Sequence, residues 1–152
     1  MALASPPPRI ERATYRVALA GNPNAGKTSL FNRLTGRSAK VANYPGVTVE
    51  VEVGRWRVPG LASIELLDVP GAYSLSANSA EERVAIQAIA GIGPLPPPDA
   101  VVLVADATEL ARHLYLVLQV RELGLPCVVA LTMVDRLAKA GRSLDTESLA
   151  LL

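Results

Sequence analysis

The residues with the plainest chemical potential are Gly21-Asn22-Pro23-Asn24-Ala25-Gly26-Lys27-Thr28, followed by Ser29. They fit the pattern G-x-x-x-x-G-K-[ST]. A loop of this type turns successive backbone N–H groups toward one point, where they can hold phosphate oxygens. Glycine lets the backbone come close. Lys27 then reaches the β- and γ-phosphates, and the Thr28 hydroxyl binds magnesium. The chain has twelve Arg but only three Lys, and one of the three stands here. A compact ammonium fits between phosphates where a planar guanidinium would not. The competing reading is a glycine-rich turn with an incidental lysine.

Three further motifs add to this one. Asp68-Val69-Pro70-Gly71 follows the apolar run Ile64–Leu67. Its carboxylate can hold magnesium through water, and the Gly71 N–H can meet a γ-phosphate. Asp-x-x-Gly is also a common turn. Thr48 follows Gly46 and Val47, 21 residues after Lys27 and 20 before Asp68. From there it can close on magnesium by its hydroxyl and on the γ-phosphate by its N–H, or it can be an outward residue of an alternating strand. Thr132-Met133-Val134-Asp135 follows the last apolar run. A carboxylate at Asp135 can accept from N1–H and N2–H2 of guanine, whereas adenine presents an acceptor at N1. Capping the next helix is the plainer role.

These motifs need a scaffold that brings them together. Val17–Ala20 reads as a short strand, and Lys27–Leu34 as a helix with Leu30, Phe31 and Leu34 on one face, stopped by Gly36. Val47, Val49, Val51 and Val53 alternate with polar residues, which predicts a half-buried strand. Pro59-Gly60 predicts a turn that folds this strand back on Ser63–Val69. Ser79 and Glu82 form a capping box for a helix ending near Ala90. Ala100–Ala105 and Pro126–Val134 read as strands covered on both faces, joined by a helix capped by Thr108 and ending at Gly124. The pattern predicts an α/β fold: a mostly parallel sheet, helices on both faces, one antiparallel edge hairpin. Ligands bind at the carboxyl ends of such strands, where all four motifs lie.

Composition excludes several functions. Lys plus Arg is 15 and Asp plus Glu 14, with 4% aromatic residues. That is no footprint for nucleic acid or an anionic membrane. The charge-free stretch at 84–98 holds two glycines and four prolines and is too short to span a bilayer. The first residues have no secretory pattern, and 1–13 reads as a flexible leader. Cys127 is the single cysteine and reads as inert core, compatible with a reducing compartment. His113 has no metal-ligand partner at a suitable spacing, and Asp106-Ala107-Thr108 reads as a strand end feeding a helix cap.

Gly21–Gly36, Ala42–Glu50, Asp68–Leu75 and Ala105–Asp135 together resemble the G domain of ferrous iron transport protein B. The resemblance implies a Ras-like P-loop NTPase fold over residues 14–152 that binds GTP or GDP with magnesium and hydrolyses GTP. It places Gly21, Asn24, Gly26, Lys27 and Thr28 in the phosphate loop, Thr48 in the first switch, Asp68 and Gly71 in the second, and Asp135 at the base. Thr132 stands where the family usually has Asn. The chain stops before the last strand of such a domain and its Ser-Ala loop, so an incomplete domain is expected, coupled elsewhere to a ferrous-iron permease and working in the cytoplasm or at the cytoplasmic face of the inner membrane. The resemblance also suggests potassium held by Asn24 and by carbonyls around Ala42–Gly46, although Asn24 can equally shape the loop. Ala72 follows Gly71, so the water-orienting Gln of Ras-like enzymes is missing and turnover is expected to be slow, on the order of 10⁻⁴ to 10⁻² per second. The rival expectations are an ATP-using P-loop enzyme and a non-catalytic remnant. The sequence leaves the oligomeric state open.

Overall fold

The computed structural model describes residues 14–60 and 63–151; the expected leader at 1–13 lies outside them. The elements in chain order are β1 (Thr14–Ala20), α1 (Lys27–Thr35), β2 (Ala39–Asn43), β3 (Glu50–Trp56), β4 (Ser63–Asp68), α2 (Ala80–Ala90), β5 (Ala100–Asp106), a 3₁₀ turn (Ala107–Glu109), α3 (Leu110–Glu122), β6 (Cys127–Thr132), α4 (Val134–Lys139) and α5 (Thr146–Ala150). The strands form a sheet in the order β2-β3-β4-β1-β5-β6. β4, β1, β5 and β6 are parallel, and β2, β3 and β4 are antiparallel.

Period-two alternation divides the core between the two faces of this sheet. Ala18, Ala20 and Leu67 pack with Val84 and Ala88 of α2 and Leu116 and Val120 of α3. Leu19 and Leu66 point the other way and pack on Phe31 of α1. Helices therefore cover both faces, as expected. Gly36 ends α1 in the left-handed region, and its N–H donates to the Asn32 carbonyl.

Four local expectations need correction. β2 was not foreseen. Its residues are almost all exposed, Val41 included, so backbone pairing with β3 holds it and no apolar alternation announces it. The valine-rich strand begins at Glu50, which leaves Val47–Val49 in the preceding loop; its alternation of half-buried Val and exposed polar residues runs on through that loop. Asp106, not Thr108, caps the turn before α3, and its carboxylate accepts from both the backbone N–H and the hydroxyl of Thr108. β5 is covered on both faces but β6 is not: it lies at the sheet edge with Val128 64% exposed. Cys127 is accordingly half-buried, beside an open apolar groove lined by Leu114, Val117, Val129 and Leu149.

An apolar edge strand offers unpaired backbone groups to other chains. Sedimentation velocity over a concentration series is expected to show reversible self-association, suppressed by Val128→Lys with a stability change within about 0.5 kcal/mol. A concentration-independent monomer for both chains would show the edge to be inert.

Candidate functional site

The site is built where β1 and β4 end side by side. Leu19 pairs with Asp68 in the parallel register, so the loop after β1 and the loop after β4 leave the sheet together. Two backbone bonds join them: the Val69 N–H donates to the Leu19 carbonyl (3.3 Å), and the Ala72 N–H donates to the Gly21 carbonyl (3.1 Å). Both loops need glycine. A Cβ on Gly21 would lie 2.3 Å from the Val104 carbonyl oxygen of β5, and one on Gly71 would lie 2.8–2.9 Å from Pro23. The motifs read from sequence are thus in contact through positions where only hydrogen fits.

The loop ends at Gly26, which enters α1 in a left-handed conformation with no side-chain cap, and the first turn of α1 has no acidic residue. The first N–H groups of the helix remain free for an anion. Lys27 is 7% exposed, and its ammonium donates to the Asn22 carbonyl at 3.1 Å. Burial pushes the Lys27 pKa down, partly opposed by the Asp68 carboxylate. Burial also pushes Asp68 up, against the Thr28 hydrogen bond and the Lys27 charge, with Glu52 across the hairpin adding to the rise. Both charges are therefore held in a site that disfavours them until a further charged partner arrives.

The Thr28 hydroxyl donates to Asp68 Oδ2 at 2.8 Å, while Asp68 Oδ1 is buried without a hydrogen-bond partner. An oxygen pair of this kind suits magnesium, which takes one or two protein ligands and completes its shell with phosphate and water. No cluster of three or more His, Cys, Asp or Glu suited to a metal occurs among the described residues. Phosphate oxygens would have to complete the set.

Thr132 ends β6, and its hydroxyl donates to the Ala25 carbonyl at 2.7 Å, with the Ala105 carbonyl at 3.2 Å. It ties the base-side strand to the phosphate loop. Asp135 stands in the first turn of α4, exposed, 3.9 Å from Lys139. Met133 before it is left-handed. Asn24 is exposed with φ +62°, a conformation Asn tolerates. None of the described hydrogen bonds uses its side chain, which leaves its carbonyl available. Ser29 is exposed on α1, and Gly46 and Val47 lie in the loop before β3. Thr48 is exposed in that loop and makes no hydrogen bond to Thr28 or Asp68. It is the one candidate magnesium ligand that the structure does not bring in.

Two features beside the motifs escaped sequence reasoning. Glu82 is buried, and its carboxylate accepts from the Tyr73 and Asn78 N–H groups, so it organises the loop after Gly71. The Ser79 oxygen accepts from the Glu82 N–H, as the capping box required, but Glu82 reaches further back than that motif predicts. His113 is 5% exposed in a cavity against the phosphate loop. A single histidine on a helix gave no signal of this.

A sequence profile described as ferrous iron transport protein B matches residues 15–152. The chain is a member of the FeoB family. It is 48% identical over 135 residues to an Fe(2+) transport protein A/Fe(2+) transporter FeoB fusion protein of Porphyromonas gingivalis, which covers 89% of this chain but 16% of that protein. The chain thus spans about a sixth of the length of the curated FeoB relatives it matches. The cytosolic domain of L. pneumophila FeoB superposes with a TM-score of 0.80 at 45% identity, over 90% of this chain and 56% of that one. An S. thermophilus NFeoB mutant bound to GDP superposes with a TM-score of 0.78 at 40% identity, over 90% and 52%. The fold is that of FeoB G domains. No helix among the described residues is long and apolar enough to cross a membrane.

The depressed Lys27 pKa has a stability consequence. Its folded value lies below 10.5, so the charged form costs stability at neutral pH. That cost fades as pH rises from the folded value toward 10.5. The stability of the nucleotide-free chain should therefore rise with pH between the folded Lys27 value and 10.5, and Lys27→Met should flatten that rise. Calorimetric melts across this pH range check it, and an equally steep rise in the variant would contradict it.

Proposed function

We propose that the chain binds GTP and GDP at the Gly21–Ser29 loop and hydrolyses GTP slowly, as the G domain of a ferrous iron transporter. The observation that carries this is the buried Lys27 ammonium at the uncapped start of α1, beside a carboxylate with an unpaired buried oxygen. Such a site is complementary to a polyphosphate with its magnesium. Lys27 binds the β- and γ-phosphates, and the free N–H groups of the loop and of α1 hold the remaining oxygens. The Thr28 hydroxyl would hold magnesium directly and Asp68 through water, joined by Thr48 when its loop closes. The Gly71 N–H orients the γ-phosphate. Asp135 accepts from guanine, and Thr132 performs the tethering expected of Asn, with its hydroxyl on the Ala25 carbonyl. When bound, magnesium and potassium supply positive charge to the phosphates in the transition state. The Asn24 carbonyl, neutral and unpaired, is the potassium ligand in the loop, with carbonyls around Ala42–Gly46 completing the shell. Attack is by water, and no Gln follows Gly71 to orient it. The partner is a ferrous-iron permease, which places the domain at the cytoplasmic face of the inner membrane.

One assay tests the chemistry. GTP turnover is measured in potassium and in sodium at equal ionic strength, for wild type and Asn24→Ala, with excess ATP as competitor in a parallel arm. The expected result is faster turnover in potassium, lost in the variant, and no inhibition by ATP. Equal rates in the two salts would remove Asn24 from the mechanism, and inhibition by ATP would remove the guanine preference.

A further inference from the structure

Tyr44 follows β2 directly and opens the loop that carries Thr48, yet it is only 2% exposed. It belongs to the core cluster that includes Val84, Ala88 and Ile89 of α2. Its ring also meets Gly93, in the segment joining α2 to β5. A Cβ on Gly93 would lie 2.7 Å from Cε1 and 3.1 Å from Cδ1 of the ring, and Gly93 has φ +123°. Room and backbone conformation both demand glycine there. The segment is itself anchored: the Ile92 N–H donates to the Gln87 carbonyl (2.8 Å), and Leu95 packs on the same core cluster as Tyr44.

The chain between Tyr44 and Thr48 is short and turned. The Val47 N–H donates to the Tyr44 carbonyl (3.4 Å), and Gly46 has φ +79°, so Tyr44-Pro45-Gly46-Val47 has the proline and glycine of a type II turn in their usual places. Val47 and Val49 are half-buried against the same core cluster as Tyr44, and Thr48 between them is exposed. Three apolar side chains therefore hold one side of the loop inward, and alternation turns Thr48 outward. Turning Thr48 inward lifts Val47, which the turn ties to Tyr44. One atom opposes this arrangement. Tyr44 Oη is buried with no hydrogen-bond partner, and burial pushes its pKa up, so the phenol stays a neutral donor without an acceptor. A buried hydroxyl of this kind disfavours the state that contains it. The loop is held by its apolar contacts and weakened by one polar group.

We infer that Tyr44, seated against Gly93, is a latch that holds Thr48 off the Thr28–Asp68 pair, and that the latch releases before Thr48 joins the magnesium site of a bound triphosphate. Tyr44 and Gly93 are then positioning residues that set how tightly a nucleoside triphosphate is bound relative to a diphosphate. A diphosphate has no γ-phosphate to draw the loop in, so its binding leaves the latch closed. The apparent affinity for a triphosphate is scaled by the fraction of molecules whose latch is open. The inference rests on the phosphate-binding reading above, and its test separates the two.

Two variants push the latch in opposite directions. Tyr44→Phe keeps the ring and removes the unpaired oxygen, which favours the seat. Gly93→Ala adds a methyl 2.7 Å from the ring, which favours release. Calorimetry measures affinity for GDP and for a β,γ-imido analogue of GTP, with magnesium in a potassium-free buffer, for wild type and both variants. The ratio of analogue affinity to GDP affinity should fall about fivefold in Tyr44→Phe, the size of one unsatisfied polar group, and rise about threefold or more in Gly93→Ala. In the nucleotide-free chain, backbone hydrogen exchange at residues 46–51 should slow in Tyr44→Phe and quicken in Gly93→Ala. A role in stability alone would move the melting midpoint, or both affinities together, and leave the ratio where it was. An unchanged ratio in both variants, or a shift of the same sign in both, overturns the latch. If Gly93→Ala does not fold, the ratio in Tyr44→Phe decides. If the wild type binds neither nucleotide, the phosphate-binding reading fails and the exchange rates decide the seat: opposed changes uphold it, and unaltered rates overturn it.

Discussion

Among the described residues, the buried Lys27 ammonium is answered by one carbonyl, that of Asn22, and by the charge of a neighbouring carboxylate, Asp68. Burying a charge is expensive unless it is paired and hydrogen-bonded. Here Lys27 is 7% exposed with the Asn22 carbonyl as its direct partner. Asp68 opposes the loss of its charge without contacting it closely enough for an ion pair among the described residues. Much of the surrounding architecture serves to hold this cation in place: the sharp exit of β1 at Gly21, the uncapped start of α1, and the loop after β4 clamped to Pro23 and Gly21. The protein keeps an unfavourable local arrangement because a polyanion would reverse its sign.

Sheet topology makes the arrangement possible. β1 lies between β4 and β5, so three parallel strands deliver their carboxyl ends to one edge. Asp68 arrives from one neighbour, Asp106 from the other, and Thr132 from the strand beyond. Thr132 then reaches back to the Ala25 carbonyl, so a residue 107 positions away closes the loop from its far side. The antiparallel strands β2 and β3 extend the opposite side of the sheet, and the loop between them carries Thr48. That loop is tied to the body by Tyr44, buried in the core, while Thr48 itself stays exposed. Asp68 and Thr132 are held at strand ends and Thr28 in the first turn of α1, whereas Thr48 sits on an exposed loop.

What the sequence made legible follows from how each signal arises. The phosphate loop, α1 and the parallel strands were readable because their residue types are dictated by close approach and by burial on both faces: Gly21 and Gly71 admit no Cβ, and Ala18, Leu19 and Ala20 feed opposite faces. β2 was not readable, because an edge strand held by its backbone imposes no pattern on exposed side chains such as Val41. Cys127 and Val128 misled for a related reason: an apolar run looks the same whether one face or two is covered. Thr132 looked like a departure from Asn, yet a hydroxyl at that place makes a short bond to the loop. The burial of His113 and the loop contacts of Glu82 were illegible because both depend on what the fold packs against them, which spacing along a helix does not encode.

The central claim is that the buried Lys27 charge exists for a nucleotide's phosphates. Its most direct test is a calorimetric titration of GDP with magnesium into the wild type and into Lys27→Met. The account predicts measurable binding by the wild type and affinity more than about tenfold weaker in the variant, the loss expected for a buried charge-assisted contact. Equal affinity in the two chains would contradict it.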